Sequence, residues 1–171
     1  DFLPAPFDGF GVQANYTRIK NEGVKNANLV VDTTGGSSIA RSALEGMIQV
    51  DRLENLSDHA FNAILMYEKP GFGARLAYNW RSKYVNSVND CCLGFPVWNE
   101  PEGYLDGSIR IAVTPKLEFS FQGSNLLNTR IKMRAQVSGP TEDDPDREVK
   151  FLPGGSFEYD RRFQFGIRAK F

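Results

Sequence analysis

The chain ends RRFQFGIRAKF (residues 161–171). Phe163, Phe165, Ile167, Ala169 and Phe171 are apolar, while Arg162, Gln164, Gly166, Arg168 and Lys170 are polar or small. Side chains of a strand alternate between the two sides of a sheet. This period of two therefore predicts a strand with one greasy and one wet face. Five further stretches repeat the pattern. In FGVQANYT (10–17), Phe10, Val12, Ala14 and Tyr16 oppose Gly11, Gln13, Asn15 and Thr17. In FNAILMYE (61–68), Phe61, Ala63, Leu65 and Tyr67 oppose Asn62, Ile64, Met66 and Glu68. FGARLAYNWRS (72–82) sets Phe72, Ala74, Leu76, Tyr78 and Trp80 against Gly73, Arg75, Ala77, Asn79 and Arg81. LDGSIRIAV (105–113) and LEFSFQG (117–123) continue the series. No helical period competes, so the chain reads as all-β: an antiparallel up-and-down meander of about six long strands.

The connections alternate in length. EKPGF (68–72) and TPK (114–116) carry ordinary turn chemistry in Pro70, Gly71 and Pro115. Three others are long and polar, near residues 19–60, 83–103 and 124–156. Loops of that length are uncommon in compact domains. Tight turns at one end and long loops at the other are the asymmetry of an outer-membrane barrel. Strands of about ten residues also suit a tilted bilayer crossing. Aromatic residues collect at both strand ends. Phe10, Tyr67, Phe72 and Phe171 stand at the short-turn end, and Tyr16, Trp80, Tyr84, Tyr104 and Tyr159 toward the long-loop end. Two interfacial girdles are expected from that pattern. The wet faces carry Arg75, Arg81, Arg110, Glu118, Arg162 and Arg168, side chains that a hydrated lumen would solvate. A secreted lipocalin-like barrel, a β-sandwich or a self-contained eight-stranded barrel produces the same alternation. An eight-strand count needs strands at 27–32 and 43–50.

Composition narrows the function. The 171 residues carry a formal net charge of -1, which leaves no basic excess for nucleic acid. No stretch approaches a spanning helix. The first residues, DFLPAPFDGF, lack the regions of a signal peptide. No catalytic constellation, P-loop, cofactor motif or metal motif is present, so neither an enzyme nor a cofactor is expected. The two G-x-G runs, GFGVQA and GFGARL, lie in strand patterns and do not open a helix. His59 has no partner for a triad or metal site. The acidic run TEDDPDRE (141–148) lacks the spacing of a calcium loop and reads as solvated.

Two long runs, NLSDHAFNAILMYEKPGFGARLAYNWRSKY (55–84) and GYLDGSIRIAVTPKLEFSFQGSNLLN (103–128), resemble the late barrel strands of TonB-dependent receptors. SNLLN is similar to that family's habitual G-x-N-L-x-N. The tail resembles its last strand, and DGFGVQANYT an earlier one. CCLGFPVWN (91–99) resembles the branch linked to carbohydrate uptake. The resemblance implies the C-terminal part of a barrel of about twenty-two strands, without the plug and without the short segment that meets TonB. It implies a Gram-negative outer-membrane location and TonB-energised uptake of a scarce solute, a carbohydrate, siderophore or similar. It places the C-terminus in the periplasm, the two tight turns beside it and the long loops outside. Outer-membrane lipid, the rest of the barrel and its plug, the TonB complex, the barrel-assembly machinery and a small solute are the implied partners. Phe163, Phe165, Ile167 and Phe171 would form the assembly signal.

The outer loop holding Cys91, Cys92 and Trp98 is the candidate ligand contact. Adjacent trans residues hold their Cα atoms about 3.8 Å apart, below the usual disulfide range. A Cys91–Cys92 bond would be strained and would stiffen the loop, and an exported location favours oxidation. If formed, the bond would offer a flat apolar stacking surface for a sugar beside Phe95, Pro96 and Trp98; the alternatives are two free or otherwise paired thiols, and residues that only pack the loop down.

Overall fold

The computed structural model of the protein describes residues 4–24, 48–88, 95–141 and 144–171. These residues form ten strands and one 3-10 turn, Phe7–Gly9. The strands are β1 (Phe10–Arg18), β2 (His59–Lys69), β3 (Phe72–Arg81), β4 (Tyr84–Ser87), β5 (Val97–Asn99), β6 (Glu102–Thr114), β7 (Leu117–Ser124), β8 (Arg130–Ser138), β9 (Lys150–Glu158) and β10 (Arg162–Ala169). They make two antiparallel sheets. The larger has six strands in the order β1-β2-β3-β6-β7-β10, and the smaller has four in the order β4-β5-β8-β9.

The six strands expected from alternation are the six strands of the larger sheet. Their register decides what the sheet can do. Phe10 pairs with Tyr67, Tyr67 with Ala74, Ala74 with Ile109, Ile109 with Phe121, and Phe121 with Phe165. The adjacent row on that face runs Phe72, Ile111, Phe119, Ile167. A slip of one residue anywhere would send an apolar set to the other side. None occurs along these rows, so the apolar halves of all six strands fall on one side. That side is bare: Val12 is 74% exposed and Phe165 64% exposed. Diagonal stacking of Phe119 on Phe165 and of Phe121 on Phe163, with ring centroids 6.0 and 5.8 Å apart, ties β10 to β7.

Gly107 and Gly123 face each other across β6 and β7 within this apolar side. Leu126 folds back over the gap, and a Cβ at Gly123 would lie 2.7 Å from its Cδ2. The absence of side chains there therefore seats the leucine.

The stretches expected as loops require a correction. Residues 83–103 hold β4 and β5, and residues 124–156 hold β8 and most of β9. Their strands pair with one another, β5 with β8 and β8 with β9, so the two connections fold together as the smaller sheet. The buried core of the described residues lies here: Ile48, Val50, Val85, Val88 and Trp98, with Phe95 and Phe151 packed against them. Val85 is 0% exposed. Among the described residues no second layer packs over the apolar side of the larger sheet, whereas the smaller sheet closes on a core of its own. Of the further strands an eight-strand count requires, residues 27–32 and 43–47 lie outside the described residues, and 48–50 are not strand.

Two expected girdle members are also corrected. Tyr84 is only 3% exposed and belongs to the smaller sheet. Tyr104 pairs with Asn79, on the wet side of the larger sheet. The turn-end cluster is present, with Phe10 4.7 Å and Phe72 6.0 Å from Tyr67, and Phe7 joining it. At the other end Tyr16, Phe61 and Trp80 share one row.

Candidate functional site

The wet side of the larger sheet is built from the alternate residues of the same strands. One row reads Gly11, Met66, Arg75, Ser108, Gln122, Gln164, and the next reads Glu68, Gly73, Arg110, Ser120, Gly166. Arg168 stands opposite Glu118, and the Arg110 guanidinium lies 3.8 Å from the Glu118 carboxylate. Toward the long-connection end, Asn15, Asn62 and Asn79 share a row, and Asn62 donates to Asn15 Oδ1 at 2.8 Å. A shallow depression of about 420 Å³ is lined by Arg75, Asn79, Asp106, Ser108 and Gln122. Arg75, Arg110, Glu118 and Arg168 therefore share one side of the sheet, and the alternation of β10 puts Arg162 there too.

Arg81 departs from this group. It sits at the end of β3, where the chain passes into the smaller sheet. Its guanidinium lies 3.7 Å from the Tyr84 ring centroid and donates to Glu102 Oε1 at 2.7 Å. Tyr104 donates to the other Glu102 oxygen at 3.1 Å, and Asn99 donates to the Tyr84 hydroxyl. Burial raises the Tyr84 hydroxyl above the ordinary phenol range, outweighing the lowering by Arg81. This network couples the two sheets and is a structural joint.

A second joint centres on SNLLN. Asn125 and Asn128 both have positive φ, 52° and 54°, which asparagine tolerates better than most residues. Asn125 accepts from the Thr129 amide at 2.8 Å and donates to the carbonyls of Thr129 and Tyr159. Its own amide donates to Asp106 at 2.9 Å. One buried side chain thus binds together the departure from β7 and the return into β10.

An open cleft of about 430 Å³, no more enclosed than the depression on the larger sheet, lies beside the core of the smaller sheet. Trp98 and Phe151 meet there edge to face, 6.0 Å between centroids and at 90°. The Trp98 indole donates to Gln136 Oε1 at 2.7 Å, a bond buried on both sides. Lys83 Nζ stands 4.9 Å from both ring centroids, and Arg52 Cζ stands 5.7 Å from that of Trp98. Arg52 is also bonded to Asp58 at 2.6 Å. Asp51 and Gln49 complete the polar rim, and Val149 and Pro140 the apolar one.

Trp98, expected as a ligand contact, lines this cleft; Cys91 and Cys92 lie outside the described residues. Arg52, Lys83, Gln136 and Phe151 were not legible as a group. They come from four separate segments, and only β8 carries an alternation that announces a strand: Ile131, Met133, Ala135 and Val137 against Arg130, Lys132, Arg134 and Gln136. His59 makes a 2.6 Å hydrogen bond with the Tyr16 hydroxyl and stacks on its ring. Within the acidic run, Thr141 and Asp144 are joined by a backbone bond and by a bond from the Asp144 amide to the Thr141 hydroxyl. No group of three or more metal-ligating side chains converges among the described residues. A comparison with protein families, with curated proteins and with solved structures finds no match for this chain.

Proposed function

We propose that the chain is barrel wall from the C-terminal part of a TonB-dependent outer-membrane receptor, with the smaller sheet forming its outer surface. The observation that carries this reading is the unbroken apolar side kept in register across six strands. Those strands are 8 to 13 residues long, which is the length a tilted bilayer crossing needs. Lipid gives such a side somewhere to go, and water does not. The opposite side, with its arginines and amides, suits a hydrated passage. A lipocalin-like module would turn the apolar side inward on a cavity; among the described residues the sheet is open, with β1 and β10 as its edges.

In this reading the segment catalyses no covalent reaction. Other parts of the receptor supply the plug and the contact with TonB, and the segment contributes wall, outer surface and the apolar last strand that assembly machinery would grip. Topology tests it. With Cys91 and Cys92 replaced by serine, Val149→Cys, just before β9 of the smaller sheet, is labelled by a membrane-impermeant maleimide on intact cells. Lys116→Cys, in the β6–β7 turn, is labelled only after the envelope is breached. The opposite pattern, or equal labelling of a soluble product, overturns the proposal.

A further inference from the structure

The cleft on the smaller sheet is more than a gap left by packing. Eight ion pairs join described residues, one of them, Arg52–Asp58, at this cleft, and Lys83 is in none of them. Its ammonium stands instead against two aromatic rings. Aromatic quadrupoles hold a cation without neutralising it. The position is set from both sides: Arg81, two residues before, is clamped by Glu102, and Tyr84, the next residue, is buried beneath the Arg81 guanidinium. Lys83 is therefore an exposed positive charge laid against the two rings beside a cleft of about 430 Å³. That volume falls within the range of small-molecule sites, about 300–1,000 Å³.

The surroundings narrow the ligand. Phe151 offers apolar surface to a ring, backed by the 7%-exposed Trp98. The indole N–H is already used by Gln136, so the corner stays rigid when a ligand enters. Arg52, fixed by Asp58, adds a second positive group over the same indole. Asp51 on the rim can only accept, so it suits a ligand that brings its own hydroxyl donor. We propose that this cleft binds a hydroxylated ring carboxylate: its carboxylate pairs with Lys83, its ring face lies in the aromatic corner, and a hydroxyl donates to Asp51. Charge-assisted bonds supply most of the discrimination. The inference is independent of the bilayer reading, because every group it uses lies in the smaller sheet, in the link from β3 to β4 or in the segment before β2 that packs on its core, and none on the apolar side of the larger sheet.

The test is calorimetric titration of the full chain, folded in detergent micelles, with galacturonate and quinate as charged probes and galactose as the neutral counterpart. A near-UV signal from its tryptophans confirms that each variant is folded. The expected result is saturable binding of a charged probe, at least tenfold tighter than galactose. Lys83→Gln should remove that preference by roughly tenfold or more, consistent with loss of one charge-assisted bond. Phe151→Ala should weaken both sugar probes alike. Equal binding of galacturonate and galactose, or an unchanged preference in Lys83→Gln, overturns the assignment of Lys83. No saturable binding of either charged probe by the folded chain overturns the site, and leaves the cysteine-labelling result untouched.

Discussion

Two single residues hold the junctions that shape this molecule. Asn125 uses its left-handed backbone to turn the chain away from β7 and its buried amide to hold Thr129 and Tyr159. Asn125→Ala should lower stability by about 1–3 kcal/mol, because it leaves buried backbone groups unpaired. Asn125→Gly should cost nearly as much, since glycine relieves φ and restores no bond. Asn128→Gly should be close to neutral, because there only the backbone conformation is demanding. Urea unfolding of the chain folded in lipid vesicles measures all three; a near-neutral Asn125→Gly would show that conformation, not hydrogen bonding, matters at that site. Glu102 is the other hinge. Its side chain is 6% exposed and answers both Arg81 and Tyr104. Arg81 is 38% exposed and partly screened by solvent. Glu102→Ala should therefore cost about 1–2 kcal/mol by the same measurement. Loss of near-UV signal at lower urea than loss of strand signal would locate the damage at the joint between the sheets.

The strands divide into those the sequence announces and those it hides. Each strand of the larger sheet separates two different environments along its length, and that contrast writes a period of two into the residues. The contrast makes a direct prediction. Ile109 and Ser108 are neighbours in β6 on opposite sides of the sheet. If the apolar side meets lipid, Ile109→Lys should cost about 2–4 kcal/mol near the bilayer midplane, whereas Ser108→Lys should cost well under about 1 kcal/mol. Equal costs in vesicle-folding titrations would remove lipid from that side. The smaller sheet has no such contrast. β4 and β5 have only four and three residues, too few to show a period. β9 contains Pro153, Gly154 and Gly155, which read as a turn yet lie in a strand whose pairing with β8 shifts register twice. Only β8 alternates openly. The cleft was still less legible: Trp98 could be singled out by type, but Lys83, Arg52 and Phe151 become neighbours only through pairings between distant segments.

At the scale of the whole molecule the two sheets present opposite problems to water. The smaller one carries a buried core and polar strands. The larger one has an exposed apolar side and two open edges, β1 and β10, whose backbone donors and acceptors have no partner strand in the described sheet. Phe163, Phe165 and Ile167, all near 60% exposed, lie on the β10 edge itself. An edge that is both unpaired and apolar is the feature that soluble sheets avoid. The chain refolded in plain buffer should therefore associate. Static light scattering should rise with concentration, while the Trp98 core keeps a near-UV signal in the associated state. Vesicles or micelles should suppress the scattering and raise the strand signal together, because lipid covers the apolar side and copies can still pair edge to edge. Six strands give β1 and β10 opposite directions, so β10 of one copy can pair antiparallel with β1 of the next and the arrangement can close into a ring. In detergent the expected particle is thus a small closed oligomer, read by sedimentation. A β10 edge blocked by Phe165→Pro, which removes a ladder donor, should shift that particle toward monomer. A chain that stays monomeric and clear in buffer without lipid would place the apolar side inside a cover of its own and refute the wall.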